Sequence, residues 1–75
     1  MMDYPNRIKE LRKKLGLTQD ELGKKFKEPK DIAIISRWER GVNKPTADSL
    51  LELAVILGVP ATEILINTNQ TDKAV

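Results

Sequence analysis

Residues 18–41, TQDELGKKFKEPKDIAIISRWERG, decide how this chain folds. The stretch opens with a helix-start signal and carries apolar residues at helical spacing on both sides of Pro29. Proline cannot occupy the interior of a helix, because it lacks the amide hydrogen and its ring collides with the preceding turn. The pattern therefore predicts two short helices joined by a turn.

The first of these helices has a complete start signal at Thr18. Its hydroxyl can accept a hydrogen bond from the first turn, and Glu21 completes a capping box. Leu22 and Phe26, four residues apart, supply the buried face. Gly23 is unexpected inside a helix, where it costs about 1 kcal/mol relative to alanine. We read it as a sign that another helix approaches closely at this point.

The second helix has two possible starts. Pro29 breaks the chain within residues 27–30. Asp31 is then the N-cap residue, or Pro29 is the first helical residue and Asp31 the third. The sequence alone does not separate these alternatives.

The second helix also has two different faces. At 100° per residue, Ile35 and Trp38 share one side, which we assign to the core. The opposite side collects small and cationic residues, namely Ala33, Arg37 and Arg40, with Ser36 at its margin. A face of this composition can lie against a groove.

Amphipathic segments flank this central pair. Ile8, Leu11 and Leu15 form one stripe of a helix that ends at Gly16. A further helix, capped by Thr46, is apolar nearly all round, and we expect it to be buried on more than one side.

These elements predict one all-α domain of five helices. The fifth is a short helix formed by ATEILI, residues 61–66. We place the domain at 6–66, after an N-terminal arm at 1–5 and before a disordered tail at 67–75, which lacks apolar periodicity.

Composition excludes several classes of protein. The chain has no cysteine and no histidine, so disulfides, thiolate chemistry and the commonest metal ligand are absent. We therefore expect no enzyme activity, cofactor or metal. No apolar run reaches the roughly 20 residues of a membrane span, and no signal peptide is apparent, so cytoplasmic residence is expected.

Charge is distributed unevenly along the chain. Residues 1–44 contain twelve Lys and Arg against seven Asp and Glu, whereas residues 45–75 contain one against four. Such a segregation favours a polyanionic partner for the N-terminal part.

Three segments together resemble the lambda-repressor-like helix-turn-helix family, which includes phage repressors and Cro. They are IKELRKKLGLTQDEL at 8–22, ISRWERG at 35–41 and KPTADSLLELAVILGV at 44–59. The resemblance implies a transcriptional regulator that binds double-stranded DNA with helix 3 in the major groove. It further implies a repressor that acts as a homodimer on a palindromic operator, with the apolar end at 64–66 contributing to the dimer interface.

The resemblance also assigns roles to matching positions. Gln19 matches a position that grips a DNA phosphate, and Arg12 and Glu39 match an internal ion pair. The positions that contact base edges are Ile32, Ala33 and Arg37, and those that hold the DNA backbone after helix 3 are Arg40, Asn43 and Lys44. The full candidate DNA-binding set is Thr18, Gln19, Lys30, Ile32, Ala33, Ser36, Arg37, Arg40, Asn43 and Lys44.

The chain departs from the family pattern in the turn. The segment between Leu22 and Trp38 is about two residues longer than usual for this motif. The usual turn glycine is absent, and Gly23 stands where the family usually has alanine. Lys30 is carried by the longer turn and is a candidate phosphate or base contact.

A second hypothesis is a protein-interaction module, such as an antitoxin-like or adaptor domain. The unusual turn and the apolar residues Ile32 and Ala33 favour it, because such side chains can touch a thymine methyl group but cannot hydrogen-bond a base. The basic N-terminal part of the chain favours DNA.

Overall fold

The computed structural model describes residues 6–65, which form an all-helical domain. In chain order, the elements are α1 (Ile8–Lys14), α2 (Gln19–Lys24), α3 (Ile32–Glu39), α4 (Ala47–Leu57) and a 3-10 turn (Ala61–Glu63). The expected arm at 1–5 and tail at 67–75 lie outside the described residues. None of the helices described is long and apolar enough to cross a membrane.

The predicted fifth helix at 61–66 is not confirmed as a full helix: only a 3-10 turn, Ala61–Glu63, forms there, and Ile66 lies outside the described residues. The Ile64 carbonyl accepts a hydrogen bond from the Arg7 amide at 2.7 Å, and Leu65 pairs with Asn6 in an isolated antiparallel bridge. Backbone groups that pair with the start of α1 are not available to continue a helix. The chain therefore closes the fold by returning to the start of α1.

The core draws on every helix. Its buried members are Ile8, Leu11, Leu22, Phe26, Ile35, Trp38, Leu53, Leu57 and Ile64. The core position predicted for Trp38 is confirmed, because this side chain is 6% exposed and its ring centroid lies 5.8 Å from that of Phe26. Ile64 is fully buried, so it seals the core and its side chain is not available to a second subunit.

Three apolar side chains are more exposed than their helical spacing suggests. Leu15 follows the last residue of α1 and is 51% exposed. In α4, Leu53 and Leu57 are buried and Leu50, Ala54 and Ile56 pack partly buried against the core, whereas Leu51 is 61% and Val55 81% exposed. α4 lies at the edge of the domain, and no other element within residues 6–65 covers its outer face.

The capping box predicted at the start of α2 is confirmed. The Thr18 hydroxyl accepts a hydrogen bond from the Glu21 amide at 3.0 Å, and Glu21 Oε1 accepts one from the Thr18 amide at 2.9 Å. These two bonds satisfy amides that the helix itself leaves without partners. They fix where α2 begins and how the chain enters it.

The longer turn folds back onto α2. Asp31 is the N-cap residue of α3, so the helix begins at Ile32 and Pro29 stands outside it. The Lys30 amide donates a hydrogen bond to the Gly23 carbonyl at 2.9 Å, and a Cβ at Gly23 would collide with the Lys30 carbonyl. The close approach predicted at Gly23 is real, but the turn makes it and not another helix.

Candidate nucleic-acid interface

α3 turns one face away from the core. Ile35 and Trp38 are buried on its inner side. The candidate residues on the outer side are either exposed or half-buried: Ile32, Arg37 and Arg40 belong to the first group, and Ala33 and Ser36 to the second. The five candidates that the sequence placed on this helix therefore share one accessible surface.

Arg37 is an exposed cation on that surface. Within the part of the chain that the structure describes, its guanidinium makes no hydrogen bond or ion pair. Its five N–H donors are therefore available to an external acceptor. A guanidinium offers two parallel donors, which match the O6 and N7 acceptors that guanine presents in the major groove.

A tight turn follows α3 and sets the direction of the next loop. Gly41 has φ +78°, its amide donates to the Trp38 carbonyl at 3.0 Å, and the Val42 amide donates to the Arg37 carbonyl at 2.9 Å. This is the Schellman arrangement. It favours glycine at the residue after the C-cap, here Gly41, because that residue has a positive φ. The exposed residues Asn43 and Lys44 follow directly after this turn.

Arg40 lies between the helix face and this loop. Its Nε donates a hydrogen bond to Ser36 Oγ at 3.3 Å, one turn earlier in α3. The bond uses one donor of an exposed guanidinium and leaves the others for an external acceptor. Ser36 therefore orients Arg40 in this structure.

Glu39 connects three helices at the end of α3. Its carboxylate oxygens accept hydrogen bonds from Arg12 Nε at 2.6 Å and Arg12 Nη2 at 3.2 Å, which confirms the predicted ion pair. Arg12 Nη1 also donates to the Leu17 carbonyl at 2.8 Å. The two side chains are 9% and 3% exposed, so the pair is buried and bidentate.

Gln19 is the second residue that bonds to Glu39, and sequence reasoning missed this contact. Its Nε2 donates a hydrogen bond to Glu39 Oε1 at 2.9 Å, across a separation of 20 residues. No local sequence pattern predicts a contact between residues so far apart. The bond places the start of α2 beside the end of α3, and Nε2 keeps a second hydrogen for another acceptor.

Lys30 lies at the other end of α3. Its Nζ is 5.8 Å from the centroid of the Phe26 ring, within the range of a cation–π interaction. Glu39 and Gln19 are found at the opposite end, about 12 Å away along an eight-residue helix. The candidate residues therefore follow the length of α3 and do not converge on one point.

The outer face of α3 and the loop after it present cations and hydrogen-bond donors, which are groups that bind a ligand noncovalently. Among residues 6–65, no cluster of three or more Asp or Glu side chains could hold a metal ion. The chemical groups on the surface are guanidinium, ammonium, amide and hydroxyl. All of them can donate to phosphate or base-edge acceptors.

A family model described as helix-turn-helix matches residues 8–64. The chain therefore belongs to the lambda-repressor/Xre-type helix-turn-helix family, whose members are DNA-binding transcription regulators. The match spans all four helices and the 3-10 turn. No curated protein and no solved structure matches the chain.

Proposed function

We propose that this protein is a sequence-specific repressor that binds a palindromic operator in double-stranded DNA as a homodimer. In this proposal α3 lies in the major groove of each half-site. Two copies of the helix are then separated by about 34 Å, one turn of DNA. Membership of the helix-turn-helix family supports DNA binding, and the residues on α3 support the finer assignment.

The observation that carries the proposal is the exposed and unengaged guanidinium of Arg37. It projects from the face of α3 opposite Ile35 and Trp38. A guanidinium without a partner among residues 6–65 is suited to a bidentate contact with guanine. Ile32 and Ala33, on the same helix, offer apolar surface for a thymine methyl group.

The remaining candidates are proposed to hold the DNA backbone. Thr18 and Gln19 begin α2 beside the end of α3, because Gln19 is bonded to Glu39. Arg40, Asn43 and Lys44 follow from that same end of α3. Contacts of this kind fix the register of α3 on the duplex without reading its sequence.

The test begins with selection of bound sequences from a random DNA pool. Binding of the selected duplex and of single-base variants is then measured by fluorescence anisotropy at fixed salt. Arg37→Ala is expected to lose about 1–3 kcal/mol of discrimination at one base pair of each half-site. Lys9→Ala removes an exposed cation from α1 and serves as the matched control. Unchanged sequence preference in Arg37→Ala would overturn the assignment.

The second candidate function is a protein-interaction module built on the same fold. It is favoured by Ile32, a large apolar side chain that is 46% exposed on the outer face of α3. Salt dependence separates the two functions. Binding through phosphates weakens steeply as salt is raised, whereas docking of an apolar surface does not.

A further inference from the structure

A trough runs between α2 and α4, and its lining includes Lys30 but none of the candidate DNA-binding residues of α3. Three adjoining cavities form it, and neighbouring cavities share lining residues. The first cavity, beside Leu15 and Leu17, shares Lys25 and Ile56 with the second cavity, which Val55 also lines. The second cavity shares Lys27 and Glu52 with the third, which lies beside Asp48. The trough is therefore continuous from the turn after α1 to the first half of α4.

The floor of the trough is apolar, and an apolar ridge stands beside it. The floor is formed by Leu15, Leu17 and Ile56. The ridge consists of Leu51 and Val55, one helical turn apart on α4 and 61% and 81% exposed. Leaving such side chains in water forfeits the free energy of apolar burial, about 25 cal/mol per Å². The single chain thus leaves an apolar surface at the trough exposed to solvent.

The two edges of the trough have opposite charge. The α2 edge and the turn after it are net basic, with Lys24, Lys25, Lys27 and Lys30 against one acid, Glu28, and the α4 edge carries Asp48 and Glu52. α4 contains no basic residue. Lys24 is paired with Asp20 at 3.0 Å, whereas Lys25 and Lys27 make no ion pair among the residues that the structure describes.

We propose that the occupant of this trough is a second copy of the chain. A two-fold axis parallel to the trough brings the basic edge of each copy against the acidic edge of the other. The same rotation turns the apolar floors of the two troughs toward each other, and Val55 lines the trough beside Ile56. Such a contact is isologous and closed, as in most homodimers. The proposal rests on the homodimer of the proposed function and assigns its interface to α2 and α4.

Self-association is measured without DNA by sedimentation equilibrium of the full chain. Val55→Asp is expected to raise the dimer dissociation constant at least about ten-fold, because it places a carboxylate in an apolar contact. Val42→Asp changes another exposed valine, 52% against 81% for Val55, that lies outside the trough. It is expected to dimerise like the wild type. Circular dichroism confirms that both variants are folded.

A charge exchange tests the two-fold arrangement itself. Lys25→Glu alone and Glu52→Lys alone are each expected to dimerise weakly, because like charges then face each other. An equimolar mixture of the two variants is expected to regain wild-type association, since each new charge meets its opposite across the interface. A contact that did not pair α2 of one copy with α4 of the other would show no such recovery.

Three results would overturn the proposal: a wild-type chain that stays monomeric up to about 1 mM, equal association of Val55→Asp and Val42→Asp, or no recovery on mixing. Failure of the DNA-binding proposal is seen separately. A chain that dimerises through the trough and binds no selected duplex would contradict the proposed function alone. A chain that binds DNA and stays monomeric would contradict the interface.

Discussion

Gln19 Nε2 lies 2.9 Å from Glu39 Oε1, so the first residue of α2 is bonded to the last residue of α3. The same carboxylate holds the Arg12 guanidinium of α1. One buried acid therefore fixes three helices relative to one another. The relative position of α2 and α3 determines which residues reach a duplex together.

Glu39→Ala is expected to destabilise the domain strongly. It leaves the Arg12 guanidinium buried without a counter-charge, a loss of about 3–5 kcal/mol in the free energy of unfolding. A small domain has only about 5–15 kcal/mol in total, so a large fraction of the variant should be unfolded in mild denaturant. Urea unfolding followed by circular dichroism measures the change.

Glu28→Ala is the control for that experiment, because Glu28 is exposed and makes no hydrogen bond or ion pair among residues 6–65. Glu28→Ala should change the free energy of unfolding by no more than about 0.5 kcal/mol. If Glu39→Ala lowered the free energy of unfolding by less than about 1 kcal/mol, the ion pair would not hold the helices together as described.

Gly23→Ala is expected to destabilise the protein although alanine is the better helix former. The helix preference of alanine favours the substitution by about 1 kcal/mol. The new methyl group, however, meets the Lys30 carbonyl, and displacing that backbone costs about 1–3 kcal/mol, as overpacking does. The melting temperature should fall, and a rise would show that the turn yields easily.

Gln19→Ala and Lys44→Ala are expected to weaken binding of every duplex similarly. Each removes a proposed phosphate contact, so affinity falls without a change in preferred sequence. For Lys44→Ala, the slope of log K against log salt should become shallower by about one unit. Anisotropy titrations on the selected duplex and on a scrambled duplex, at several salt concentrations, provide both measurements. A loss confined to one base pair would instead indicate base reading.

Lys30→Met tests whether the longer turn contributes to DNA binding. Methionine keeps the apolar stem near Phe26 but removes the charge. A phosphate contact by Lys30 predicts a salt slope shallower by about one unit. Lys13→Met, at an exposed position on α1 outside the trough and the candidate DNA-binding set, is the matched control and should keep the wild-type slope. Equal slopes for Lys30→Met and the wild type would remove Lys30 from the interface.

Local signals in the sequence predicted much of the helical framework. The capping box of Thr18 and Glu21 involves residues three apart, and the burial of Ile35 and Trp38 follows from one helical period. Resemblance to the family supplied the Arg12–Glu39 pair, which spacing alone does not reveal. The same resemblance supplied the candidate DNA contacts, which remain predictions.

What the sequence determined by itself is therefore the set of helices before residue 61, the N-caps of α2 and α4 and the inner face of α3, because these depend on neighbours within one or two turns. The start of α3 at Ile32, the Gln19–Glu39 bond and the fit of Lys30 over Gly23 were decided only by the tertiary structure. So was the exposure of Val55. Each depends on which distant segment lies alongside, and that is determined only when all the helices pack together.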